Sequence, residues 1–135
     1  MFTLQQIKTA HAKVKSGADF PRYIQEIKQL GLLRYEFMVT DGSFVYYGEG
    51  GYRVEREGSY APLAISRPAT AAALREAIAI HQKGQTDFPT FCRQAAAAGV
   101  EKWEIDTQRM MCTYFSGDGM MMVEEPIPQG EYACN

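Results

Sequence analysis

Two glutamates and two histidines are the residues of this chain whose types and spacing suit acid–base chemistry. Glu36 and Glu104 each follow a cation by two residues, Arg34 or Lys102, inside a run that alternates apolar and polar side chains. On a strand that spacing puts cation and carboxylate on one face. If two such strands meet at a shared cleft, repulsion between the carboxylates raises the pKa of one, as a general acid requires. The plainer alternative is a same-face ion pair worth little to stability. His11 and His81 are the chain's only histidines and stand near the ends of two expected helices. They suit a pair of bases or ligands, or two cations set against the negative ends of helix dipoles.

Other residue types point away from chemistry. Cys92 falls on an apolar helical stripe and Cys112 on an expected strand, positions of small core residues rather than nucleophiles. The Cys and His spacings match no zinc site, so no metal and no cofactor are expected. Gly48-Glu49-Gly50-Gly51 lacks a P-loop lysine and precedes a strand, so it reads as a turn. Tyr46, Tyr47, Tyr52 and Tyr60 with Met120, Met121 and Met122 offer material for a binding patch. Arg34, Lys102, Tyr46 and Tyr114 are the candidate ligand-binding residues.

These pairs are placed by a repeat. Asp19-Phe20-Pro21 recurs as Asp87-Phe88-Pro89, and the same offset of 68 residues, 87 minus 19, relates Gly31 to Gly99, Glu36 to Glu104, Tyr46 to Tyr114 and Gly51 to Gly119. The expected unit is two helices followed by a three-stranded meander. Leu4, Ile7, Ala10 and Val14 mark a first helix over 3–15, closed by Ser16-Gly17. Pro21 opens a second, with Asp19 as its cap and Gly31 as its stop. From Arg34 the period becomes two, and Asp41-Gly42 signals a two-residue hairpin. In the second unit the helices run over 71–83 and from Phe88, with strands over 102–108, 111–116 and 120–125. Arg109-Met110 lacks the Asp-Gly signal, so its hairpin is expected to close differently, and the tail with Pro128, Gly130 and Cys134 to be irregular. The fold class is therefore α+β: an internally duplicated helix–helix–meander unit whose antiparallel sheet, continuous or split, carries helices on one side. The whole chain, 1–135, reads as one domain of two pseudo-symmetric repeats, about 3–57 and 71–125, joined by 58–70.

Composition sets the remaining bounds. A formal charge of −2 from interspersed charges leaves no basic patch, so no nucleic-acid partner is expected. The absence of a long apolar stretch excludes a signal peptide and a membrane-spanning helix from the expectation. Three scattered cysteines suit a reducing compartment, which makes the cytoplasm the expected location.

The chain resembles a bacterial family of uncharacterised proteins, a domain of unknown function to which the name "phage envelope protein" is sometimes attached. The resemblance is carried by Ala10-His11-x-Lys13-Val14-Lys15-Ser16-Gly17-Ala18-Asp19-Phe20-Pro21, by Tyr46-Tyr47-Gly48, and by Thr86-Asp87-Phe88-Pro89-Thr90-Phe91-Cys92-Arg93-Gln94-Ala95-Ala96 running into Gly99-Val100-Glu101-Lys102-Trp103. It covers roughly residues 3–125 and implies no activity, cofactor or catalytic residue. The leading expectation is a binding or interaction module for a small molecule or a protein, more readily than an enzyme. The alternatives are a small hydrolase- or isomerase-like enzyme using Glu36 and Glu104 at the repeat seam, and a phage-associated structural protein, which rests on that name alone. A homodimer through the sheet edges is also expected.

Overall fold

Two pairs of helices and two meanders alternate along the chain, in a computed structural model that describes residues 1–15 and 19–127. The first half holds α1 (Leu4–His11), α2 (Phe20–Gln29), β1 (Arg34–Met38), β2 (Ser43–Tyr47) and β3 (Arg53–Arg56). The second holds α3 (Ala71–Gln82), α4 (Phe88–Ala97), β4 (Val100–Asp106), β5 (Met111–Ser116) and β6 (Met121–Pro126). Local chemistry accounts for most boundaries. Thr3 and Gln6 form a reciprocal capping box at α1. Pro21 and Pro89 occupy first helical turns, where their missing N–H costs nothing. Gly31 and Gly99 take φ +97° and +95° just past α2 and α4, the left-handed stop that glycine adopts without penalty.

The two halves use the repeated Asp differently. The Asp87 carboxylate caps α4 by accepting from the Thr90 N–H at 2.8 Å. Asp19, expected to do the same for α2, makes no cap bond there and instead accepts from the Lys15 N–H at 2.9 Å. The Ser16-Gly17 stop and the tail from Pro128 onward, with Cys134, lie outside the described residues.

All six strands form one antiparallel sheet in the order β3-β2-β1-β4-β5-β6. The meanders therefore meet through their first strands, a junction the sequence left open. Alternation then sorts the side chains. Tyr35, Phe37, Phe44, Tyr46, Trp103, Ile105, Cys112, Tyr114 and Val123 share one face by register. Ring contacts join that face to both helix pairs: His11 meets Phe44 across 6.2 Å, and Phe88 and Phe91 meet Trp103 across 6.1 and 5.6 Å. Helices thus cover one side, and the fold is α+β. The other side carries Arg34, Glu36, Met38, Val45, Tyr47, Lys102, Glu104, Asp106, Met111, Thr113 and Phe115, and no helix of the described residues lies over it.

Both inner hairpins close alike. β1 and β2 end their pairing at Met38↔Ser43, and β4 and β5 at Asp106↔Met111. Each turn is therefore wider than the two-residue Asp41-Gly42 expectation: in the first the Val39 N–H is engaged by the Glu101 carbonyl and the Val39 carbonyl by the Tyr60 hydroxyl, and in the second the Thr107 N–H is engaged by the Leu33 carbonyl. Arg109-Met110 does not close differently after all: Met110 takes φ 53° where Gly42 takes 77°. The Met110 carbonyl, bonded by the Ile127 N–H at 2.8 Å, helps hold that conformation.

The connection over 58–70 forms no strand but bonds along the ends of both halves, with the Leu63 N–H to the Thr40 carbonyl and the Ser66 and Thr70 N–H groups to the Ala96 and Ala98 carbonyls. Its closeness makes one glycine indispensable. A Cβ on Gly99 would stand 2.6 Å from Ala69 Cα and 3.0 Å from the Ser66 carbonyl oxygen, whereas one on Gly31 meets nothing within 4 Å. Gly31→Ala is expected to cost about 1–2 kcal/mol for the left-handed backbone. Gly99→Ala adds the clash and should cost about 2–4 kcal/mol. Urea unfolding of the two variants measures the difference, and equal costs would show that the strap yields.

Candidate functional site

The seam between β1 and β4 is where the sequence's candidate residues converge. Glu36 pairs directly with Glu104, Arg34 with Asp106, and Met38 with Lys102. Adding the offset of 68 turns Arg34 into Lys102 and Met38 into Asp106, so the outer pairs exchange while Glu36↔Glu104 maps onto itself. The register is symmetric about a point between the two glutamates. Directly opposed residues of an antiparallel pair have Cβ atoms about 4.5–5.5 Å apart, so the carboxylates rise side by side from the uncovered face.

The shortest contacts that answer their charges run across the seam. Lys102 donates to Glu36 Oε2 at 2.6 Å, and Arg34 Nη1 donates to Glu104 Oε2 at 3.3 Å with Glu36 a further contact at 3.9 Å. The Tyr47 hydroxyl adds a bond to Glu36 Oε1 at 3.0 Å. Each cation also lies against the aromatic ring of its own half: Arg34 is 3.8 Å from the Tyr47 ring centre and Lys102 is 5.4 Å from that of Phe115. Glu36 is only 8% exposed on a face that no helix of the described residues covers.

At Glu36 the geometry works against the raised pKa of a general acid. Burial pushes its pKa up, but the hydrogen bonds from Lys102 and Tyr47 and the charges of Lys102 and Arg34 outweigh burial and hold it below the ordinary 4.5. Glu36 is therefore an ionised acceptor at neutral pH.

The remaining candidates lie elsewhere. Tyr46 and Tyr114 are fully buried beneath the helices, one residue out of phase with the uncovered face, so they do not share a surface with Arg34 and Lys102. His11 and His81 end α1 and α3 as expected, yet neither acts as a cation there. Burial lowers both pKa values, with the Arg56 charge adding to the effect at His11. His81 stacks on Phe91 at 4.6 Å between centroids, and its Nδ1 is 3.1 Å from both the carbonyl oxygen and the hydroxyl of Thr86. Cys92 and Cys112 are buried free thiols, and burial pushes Cys92 up to about 12. Of the patch residues, Tyr52 donates to the Phe2 carbonyl at 2.6 Å, while Met120 and Met121 remain 68% and 60% exposed. No cluster of three or more His, Cys, Asp or Glu able to hold a metal occurs among the described residues.

Sequence reasoning missed Glu125. Opposite Cys112, it points to the helix-covered face from the edge strand β6, and its Oε1 is buried without a hydrogen-bond partner. Burial alone raises its pKa to about 7. The available signal was a charge at the inward parity of Val123. Because the unfolded carboxyl titrates near the ordinary 4.5, the folded state holds the extra proton between about pH 4.5 and 7. Stability should therefore fall as pH rises through that window, by about 1–2 kcal/mol after solvent screening, and level off above it. His81 and His11 act oppositely, losing stability as pH falls below the ordinary 6.5. Glu125→Gln should remove the first limb and leave stability rising with pH from 5 to 6.5; an unchanged profile would refute the assignment.

One sheet of six strands, helices on one face and a charged, aromatic-lined seam on the other define an α+β protein with an uncovered sheet surface. Residues 8–126 match the model of the family described as "Protein of unknown function (DUF1398)", and the chain belongs to that family. No curated protein matches the sequence. Among the described residues no helix is long and apolar enough to cross a membrane.

Proposed function

We propose that the protein is a cytoplasmic interaction module that docks a protein partner on the uncovered face of its sheet. One observation carries this reading: the ion pairs of that face present their cations outward. Arg34 and Lys102 are 39% and 31% exposed while Glu36 beneath them is 11% exposed, counting side chains. Arg109 is 56% exposed above Asp106 and Glu124 at 29% and 32%. Arg34 and Lys102 use few of their five and three N–H donors on carboxylates. Between them stand Met38, Tyr47, Met111 and Phe115, all half-buried, and Tyr, Phe, Met and Arg are the types that interfaces enrich. The partner that fits brings acceptor groups, carboxylates above all, to the cations and apolar side chains to the rings.

The same reading takes the chain as one domain that arose by duplication, supported by the constant offset and the symmetric register at the seam. Buried free thiols at Cys92 and Cys112 suit the reducing cytoplasm. A homodimer through the sheet edges is the weaker assembly, because Arg56 on β3 and Glu125 on β6 face inward from both edge strands, an arrangement that discourages edge pairing.

Affinity capture from source cells tests the reading when wild type is compared with the Tyr47→Ser/Phe115→Ser variant. A protein held by wild type and lost from the folded variant supports it. Partners retained equally by both place the interaction elsewhere.

A further inference from the structure

The register that makes the seam symmetric orders the whole uncovered face. One row of side chains crosses all six strands as Glu55, Val45, Glu36, Glu104, Thr113 and Glu124. From either end it reads glutamate, β-branched residue, glutamate. The rows on its two sides exchange under the same symmetry, with Arg34 opposite Tyr47 in one and Lys102 opposite Phe115 in the other. Each cation lies against its ring, Arg34 at 3.8 Å and Lys102 at 5.4 Å from the centre. Each also reaches across the seam to the glutamate of the other half. The face therefore presents two half-sites of like chemistry about the point between Glu36 and Glu104.

Seam pairing alone does not require this match. It extends to Val45 and Thr113 one strand out and to Glu55 and Glu124 two strands out. The helix-covered side of the same edge strands does not share it, since Arg56 stands opposite Phe44 in one half and Glu125 opposite Cys112 in the other. On the uncovered face the match fails at Met38 and Asp106, at Ser43 and Met111, and at Arg53 and Met121, none of which belongs to a cation–ring pair.

Two like half-sites about an axis are complementary to a partner that offers one segment twice about a two-fold axis. Both copies seat at once, and the second contact gains from being made by a group already held in place. We propose that the partner docked on the uncovered face is a homodimeric protein whose axis stands over Glu36 and Glu104, each of its chains bringing one carboxylate with apolar neighbours to one cation and its ring. This rests on the docking reading above and adds the symmetry of the partner. The charge of the segment follows from exposure: each cation is more exposed than the glutamate it answers, 39% against 29% for Arg34 and Glu104, and 31% against 11% for Lys102 and Glu36. A second copy of this chain is the wrong occupant, because face to face it would set cations against cations.

Ser43 and Met111 correspond under the offset of 68, stand in the two opposite outer rows and belong to neither cation–ring pair, so each can carry a probe. Photo-crosslinking in source cells, with a benzophenone amino acid at position 43 in one variant and at 111 in another, tests the proposal by the peptide that each probe labels. The expected result is one protein labelled on the same peptide from both positions and, from a chain carrying both probes, an adduct that holds two partner chains. Val45 and Thr113 give the same comparison should a probe at 43 or 111 unfold the chain. Labelling from one position alone, or of different peptides from the two positions, would overturn the two-fold partner while leaving docking on the sheet face in place. No adduct from either position of a folded pair would contradict docking itself, and the homodimeric partner with it.

Discussion

Trp103→Ala is expected to cost about 3–5 kcal/mol, the range for deleting a large buried aromatic side chain. Trp103 is 0% exposed and sits at the middle of the helix-covered face, stacked on Phe37 at 4.5 Å and within 5.6 Å of the Phe91 and Tyr114 ring centres. It therefore joins the two halves through Phe37 and its helix layer through Phe91. Trp103→Phe should cost much less. It keeps an aromatic surface, and the indole Nε1 that it removes has no hydrogen-bond partner to lose. Urea unfolding of both variants measures the two costs. Equal losses would mean that the indole N–H carries an interaction and that area is not the reason for the residue.

Lys102→Met is expected to cost about 2 kcal/mol, because it takes from the buried Glu36 carboxylate its 2.6 Å hydrogen bond and leaves only Tyr47 and the more distant Arg34. The double variant Glu36→Gln/Lys102→Met should recover most of that loss, since removing both partners leaves no stranded charge. The coupling energy from the cycle should fall within about 0.5–3 kcal/mol. The sign with pH follows from a folded pKa held below 4.5. The stabilisation is fully present above the unfolded value and disappears as pH falls through the folded one. The Lys102→Met penalty should therefore shrink in acid. A penalty unchanged from pH 7 down to pH 3 would show that Lys102 contributes by packing its stem and not by its charge.

Much of this architecture was legible in the chain because its signals are local. Pro21 and Pro89, the left-handed Gly31 and Gly99, and the change of period at Arg34 each act within a few residues, and each marks the boundary it predicts. What was not legible depends on residues far apart. Nothing in either half says that β1 will meet β4, so the reciprocal pairing of Lys102 with Glu36 and of Arg34 with Glu104 could not be read, only the same-face geometry that permits it. Asp19 and Asp87 are identical in sequence and differ in use, since the Lys15 N–H competes for one of them. Arg109-Met110 lacked a turn signal because the left-handed Met110 is steadied by Ile127, which lies beyond the hairpin it closes. Tyr46 and Tyr47 were grouped together although a strand sends neighbours to opposite faces, one into the core and one beside Glu36. The parity that separates them also flags Arg56 and Glu125, charges at inward positions on edge strands.

The most direct test of the docking reading is photo-crosslinking in source cells, with a benzophenone amino acid placed at Met111 on the uncovered face or at Arg75 on the exposed side of α3. The account predicts a discrete adduct from position 111 that is absent from position 75 and is lost when Tyr47 and Phe115 are replaced by serine. Adducts from position 75 alone, or from both positions equally, would contradict the assignment of the sheet face as the surface that meets a partner.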